Sequence, residues 1–291
     1  MDETMALDGV LERARVVRAA PVRAAGPGGE IRVDLGDPAE SVRFRTAMAV
    51  DSLPGFHCMC IGDVRLELLG GDGGRLTEVV LHHGRTLRWE RWESDAVLTD
   101  GRLLLDWLAE HGMPGPLEQF EAALRRNEEA DELRRAWVAV MPAALEEFTD
   151  RILGLSPFDG GAEAALLADL EDRLRHHVPD PVERTLALLA WFGSGSGRCS
   201  GYPSYEGVPG ELLGALPITD LLSALADPRA GDRHDAGAVR HLVGWKTRPD
   251  QKQDVAALPD SLRARLLAHA RRSGDADKQS RAEGWLAPAR G

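Results

Sequence analysis

Cysteine is scarce in this chain, and the scarcity narrows its chemistry. Cys58, Cys60 and Cys199 are the only three in 291 residues. An odd, low count does not build a disulfide framework, so a reducing, cytoplasmic setting is expected. Lysine is scarce beside arginine, a bias associated with GC-rich bacterial genomes. No basic run overrides the formal net charge of -12. Phosphate backbones demand a local cationic surplus, so no nucleic-acid partner is expected. No apolar run nears the roughly 20 residues of a membrane-spanning helix. The longest, Leu186 to Phe192, reads as a buried helix, and no membrane partner is expected. Residues 1–28 lack the apolar core of a secretory signal, and Asp2, Glu3, Asp8 and Glu12 oppose an organellar transit peptide. HExxH, GxSxG and paired-carboxylate motifs are all absent.

What is present resembles an ordinary globular chain. Hydrophobic residues make up 43% and charged residues 28%, close to average usage. A chain this long buries enough apolar surface to fold without covalent staples.

Hydrophobic rhythm divides the chain. A short helix over 7–17 and a flexible Pro/Gly linker, AAPVRAAGPGG, are expected at the start. A period of two then takes over at Ile31, Val33 and Leu35, and again at Val42, Phe44 and Thr46. From His57 to Leu68 the alternation puts Cys58, Cys60, Val64, Leu66 and Leu68 on one side. The run Gly70 to Gly74 reads as a hairpin turn. Leu76 to His83 returns, and Thr86 to Trp92 adds another strand. After Trp92 the period becomes helical. Asp100 caps a helix bearing Leu103, Leu104, Trp107 and Leu108 and closed by Gly112. Asp180-Pro181-Val182-Glu183 is the clearest helix start, for a helix running to Phe192. Other helices are expected over 117–130, 132–153, 161–177, 211–226, 235–245, 260–272 and 275–286.

The fold class is therefore α+β. An N-terminal antiparallel β-meander covered by a helix precedes an all-α region of stacked, helical-repeat-like pairs. The expected domains are a flexible segment 1–28, a β-rich domain with covering helix 29–113, and an all-helical domain 114–291.

Two segments carry chemistry. In FHCMCIGD, two thiols two apart on a strand share a face. Pairing about the GGDGG turn brings residue 83 opposite roughly residue 61. Cys58, Cys60 and His83 then form a soft ligand set for zinc or copper, with His57, another residue or water as a fourth ligand. Their shared face with Val64, Leu66 and Leu68 equally suits buried core thiols. A redox-sensing thiol is the third reading.

The second segment is the loop 193–207, GSGSGRCSGYPSYEG. Its glycines, including Gly201, permit close backbone approach. Ser194, Ser196, Arg198, Tyr202, Tyr205 and Glu206 supply ligand-binding groups. It is neither a P-loop nor a Rossmann turn. Cys199 is a candidate nucleophile with His176 or His177 as base. Arg88 and Trp92 on one strand face are candidate interface anchors. His234, Asp235 and His241 share a helical face without a third ligand type and read as structural.

Two functions follow. The leading expectation is a non-catalytic binding or accessory protein of interaction, immunity or regulatory type. The alternative is an enzyme, metal-dependent through the Cys/His set or cysteine-nucleophilic, acting on a small molecule or peptide. The partner is then a protein or a small-molecule ligand, and composition leaves the oligomeric state open.

Overall fold

The computed structural model describes residues 3–23, 29–156, 162–200, 202–244 and 246–287. Residues 24–28 of the expected linker, and Gly201, lie outside them. The chain forms two compact units, Met1–Asn127 and Glu128–Gly291.

The first unit begins with helix α1 (Glu3–Leu11), strands β1 (Val16–Pro21) and β2 (Ile31–Asp34), helix α2 (Pro38–Ala47) and strand β3 (Val50–Ser52). Strands β4 (Val64–Leu69), β5 (Arg75–His82), β6 (Thr86–Trp89) and β7 (Ala96–Leu98) follow, then helix α3 (Gly101–Glu110). The seven strands form one sheet in the order β2-β1-β4-β5-β6-β7-β3, and every pairing is antiparallel.

One face of the sheet is apolar. Val17, Ala19, Val64, Leu66, Leu68, Val79, Leu81, Leu87 and Trp89 point into a core closed by α1, α2 and α3. Leu7 and Leu11, Phe44, and Leu104, Leu105 and Trp107 are the helices' contributions. The opposite face carries charge. Arg18 pairs with Glu67, and Arg65 and Arg75 pair with Glu78. This is the in/out alternation of an antiparallel sheet covered on one side.

Several local expectations change. The helix predicted over 7–17 stops at Leu11, and Val16–Pro21 becomes an inner strand between β2 and β4. Part of the segment expected to be flexible is therefore built into the sheet. Val42, Phe44 and Thr46 lie on α2, not on a strand. Asp37 caps that helix, its Oδ1 accepting from Ala39 N at 3.0 Å, and Pro38 stands at the first helical position. The run 57–63 is loop rather than strand, because Gly55 and Gly62 take positive φ angles of 81° and 89°. Asp100 caps α3 as expected, accepting from Arg102 N at 2.9 Å.

Helix α4 (Gly115–Val140) runs unbroken across the boundary between the units. A 3₁₀ turn (Ala143–Phe148) and α5 (Thr149–Leu153) follow it. The remaining helices are α6 (Ala164–His177), α7 (Pro181–Phe192), α8 (Val208–Gly214), α9 (Ile218–Ala226), α10 (Asp232–Val243), α11 (Arg248–Ala256), α12 (Asp260–Arg272) and α13 (Ala276–Leu286). The single helix predicted over 211–226 is two, with Pro217 at the second start. Helix α11 was not anticipated. Its composition is polar, although Thr247 and Pro249 are start signals. The core of the second unit gathers Trp137, Trp191, Leu189 and Leu242, with α10 packed between α7 and α12.

Among the described residues, no single helix is long and apolar enough to cross a membrane. One sharply bent pair, Ser204–Gly214 with Ile218–Ala226, passes that test jointly. Its Leu212, Leu213, Leu221 and Leu225 belong to the helical core.

Candidate metal centre

Strand parity explains which side chains meet at the Cys segment. Along β5, Thr77, Val79 and Leu81 face the core, so Val80 and His82 face outward. On β6, Arg88 is opposite Val80 and shares that outer face. The loop 56–62 folds down over these residues. His82 is consequently fully buried on what would otherwise be a solvent face.

Gly62 permits the close approach. A Cβ there would lie 2.2 Å from Val80 Cγ1 and 3.1 Å from His82 Nε2. Only glycine combines that contact with a φ of 89°.

A polar clamp holds the loop. Asp95, with its side chain 3% exposed, accepts from Arg88 Nε at 2.8 Å and Nη2 at 3.0 Å. It also accepts from Cys58 N at 2.8 Å and contacts His57 Nδ1 at 2.8 Å. Arg88 then donates to the carbonyls of Cys58 and Cys60. Burial alone would push the Asp95 carboxyl up. The Arg88 guanidinium, His57 and the Cys58 N–H outweigh it and hold Asp95 well below the usual carboxylate range.

The clamped loop delivers two thiols to two imidazoles. Cys58 Sγ and Cys60 Sγ lie 3.0 Å apart, and both thiols are free. Cys60 Sγ is 3.0 Å from His82 Nδ1. His83 Nε2 is 3.3 Å from each sulfur. Cys58, Cys60 and His82 offer one ligand atom each, all within 4.8 Å of one another, a set able to hold a metal ion. His82 Nε2 is buried without a hydrogen-bond partner, so the ring's polar contact is the one from Nδ1 to the sulfur.

His83 reaches the thiols from the β5–β6 turn. It has a φ of 54°, and Gly84 follows with 64°. Histidine enters this region more readily than most residues. Its backbone N–H is held by Asp63 Oδ2. The β4–β5 register, with Val64 opposite Leu81, extends past the strand ends to bring residue 83 level with residue 62, one place from the predicted register.

The protonation states suit soft-metal binding. Burial first, and the Arg88 charge second, push His82 down, which favours the neutral imidazole that ligates. Hydrogen bonds from the Cys60 side chain and backbone, then from His83, pull Cys58 down to about 7. Burial and the bond to Cys58 push Cys60 up. The pair thus favours one thiolate beside one thiol.

The structure therefore brings together Cys58, Cys60 and His83 and adds His82, Arg88 and Asp95. His57 turns to Asp95 instead of the sulfurs. Arg88 and Trp92, expected as interface anchors, are both engaged within the unit. Arg88 belongs to the clamp, and Trp92 is 4% exposed, edge-on to Trp89 at 5.3 Å. Three apolar residues of the Cys loop, Phe56, Met59 and Ile61, project instead.

The loop 193–207 is organised around a buried ion pair. Glu206 and Arg240, with side chains 1% and 2% exposed, meet at 2.9 Å. Ser196 N and Oγ donate to Glu206 at 2.8 and 2.7 Å. Arg240 also donates to the carbonyls of Arg198 and Phe192. Ser194 Oγ donates to Trp191 O, and Tyr205 packs on Trp137 at 5.1 Å. Only Arg198 and Tyr202 of the six candidate ligand residues are exposed. Cys199 is buried in the helical core, and burial pushes its thiol up, opposite to what a nucleophile requires. His177 lines a different surface hollow with Pro142 and Arg173.

Comparison of the chain with protein-family models, with curated proteins and with solved structures finds no match to any of them.

Proposed function

We propose that the N-terminal unit is a metal-binding module holding one zinc or copper(I) ion through Cys58, Cys60, His82 and His83. The observation that carries this is the convergence of two sulfurs and two ring nitrogens at 3.0–3.3 Å. Bond lengths of about 2.3 Å to sulfur and 2.0–2.1 Å to nitrogen give tetrahedral ligand separations of roughly 3.4–3.8 Å. These four contacts need lengthen by only about a quarter to three-quarters of an ångström to meet that shape, and Cys58, Cys60 and His82 all lie within 4.8 Å of one another. Thiolate and neutral imidazole are the ligands that soft and borderline ions prefer. Arg88 and Asp95 orient the ligand loop, as outer partners do at metal sites.

This reading supports a metal-dependent activity over a purely non-catalytic role. Two cysteines and a buried histidine fix the ion, while His83 stands exposed at its outer side. An ion with one replaceable ligand can admit a small molecule.

Elemental analysis of protein purified without an affinity tag tests the proposal. About one zinc or copper per chain is expected, with loss on Cys58→Ser and on His82→Ala. A folded wild-type chain that is metal-free as isolated, and takes up neither ion on titration, ends it.

A further inference from the structure

We infer that the two cavities flanking His83 form one binding site for a small molecule bearing an oxyanion, a phosphate or carboxylate group. The inference names the substrate class of the metal site proposed above, and for the ion's part it rests on that reading.

The first cavity, about 340 Å³, is walled by Cys60, Asp63 and His83 together with Arg23. The second, about 510 Å³, is walled by His83, Arg85, Phe120 and Arg126. They share Asp63, His83, Pro116 and Gln119, so His83 stands at their junction. The combined space lies in the range of small-molecule sites.

Charge decides the ligand class. Arg23, Arg85 and Arg126 bring three guanidinium groups to these walls, and Asp63 is the one acidic residue among them. Asp63 is engaged by the His83 backbone N–H. This local excess of positive charge stands in a chain of net charge -12. Some other arginines of this unit are spent on carboxylates, as Arg18 is on Glu30, Arg43 on Glu110 and Arg102 on Asp106. The three cavity arginines form no ion pair among the described residues. Arg85 instead lies over the Phe120 ring at 5.7 Å, which holds its planar fork in place. Such forks match phosphate and carboxylate in two-point contacts. The start of the 26-residue helix α4 also lines the cavity, through Pro116 in its first turn and Gln119 just beyond it, and the helix dipole favours an anion there.

Calorimetric titration of the full chain tests this, with inorganic phosphate and citrate as separate probes. Binding of at least one is expected, and the better of the two identifies a phosphoryl or a carboxylate ligand. Arg85→Ala/Arg126→Ala should weaken that binding by about tenfold or more, since charge-assisted contacts are lost. Metal content is measured on the same samples and should not change in the double variant. No binding of either anion to the metal-loaded wild type overturns the inference, as does binding that the double variant leaves unaltered. Arginine-dependent anion binding in a protein that takes up no metal preserves this site and removes the metal reading. Metal uptake without anion binding does the reverse.

Discussion

Replacing Asp95 by Ala should free the Cys loop while leaving the sheet folded. The carboxylate takes two bonds from Arg88, one from the Cys58 N–H and one contact from His57. A hydrogen bond to a charged group contributes roughly 1.5–3 kcal/mol. The four share one side chain and do not add. Arg88 and His57 are 31% and 45% exposed, so solvent screens their share. The Cys58 bond and the buried part of the Arg88 fork then dominate, and a net loss of about 3 kcal/mol is expected. At 1.4 kcal/mol per decade, that raises the population of the open loop about 100-fold.

Amide hydrogen exchange on peptides covering 56–62, in metal-free protein, reads this directly. The exchange rate should rise about 100-fold in the loop, with β4 and β5 changing little. Asp95→Asn, which keeps an acceptor for the Cys58 N–H but loses the charge, should fall between. Metal affinity should drop about 10- to 100-fold in either variant, the usual cost of losing an outer-shell partner. A loop rate within about threefold of wild type, a shift of under 1 kcal/mol, would show that Asp95 does not clamp the loop. An equal rise across the whole sheet would show that it holds the fold instead.

Three further outcomes follow from buried or coupled groups. His241 is pushed down to about 3 by burial and by the neighbouring Lys246 charge. The unfolded chain therefore binds a proton first as pH falls below about 6.5, and stability declines by about 1.4 kcal/mol per unit down to about pH 3. Urea denaturation between pH 6.5 and 4.5 should show that slope flattened in His241→Gln, and an unchanged slope rejects it. In metal-free protein, Cys58 should react with thiol reagents at a rate rising through pH 7, because the thiolate is the reactive form. Cys199 should label only on unfolding, and peptide mass spectrometry finding it as fast as Cys58 contradicts its burial. Glu206→Gln leaves the buried Arg240 guanidinium without its counter-charge, costing about 3–5 kcal/mol. Adding Arg240→Met should recover part of the lost denaturation midpoint, and no recovery argues against the pair.

Much of the fold was legible because one side of the sheet is covered. The alternation through Val64, Leu66 and Leu68, and through Val79 and Leu81, is the signature of such strands, and it placed β4, β5 and their turn. Asp100 and Asp180 marked helix starts because their side chains accept the orphan N–H groups. Strand β1 was hidden: VVRAAP is short, ends in Ala-Ala-Pro and shows little contrast between faces. Helix α2 mimicked a strand because Arg43 and Arg45 alternate with Val42, Phe44 and Thr46, although Asp37-Pro38 was a start signal. The site was half legible. Turn register brought His83 near the thiols. Parity was carried upstream past Gly62, where the chain leaves the strand, and so put the cysteines on the core face. Asp95 carries no local signal, because its role exists only once β5, β6 and the loop are assembled.

The way the loop is held argues against core packing as the reason for its cysteines. A loop kept for its apolar burial would turn its large hydrophobic side chains inward. This one turns them out: Phe56 is 63% exposed, Ile61 56% and Met59 fully. What it buries is polar, namely Asp95, part of Arg88, and His82 on a strand face that parity would leave in water. Burying such groups costs free energy unless each is partnered. Asp95 and Arg88 partner each other. His82 meets Cys60 through Nδ1 and both thiols meet His83, so an ion at this point would tie the buried ring to the sulfurs through Nδ1.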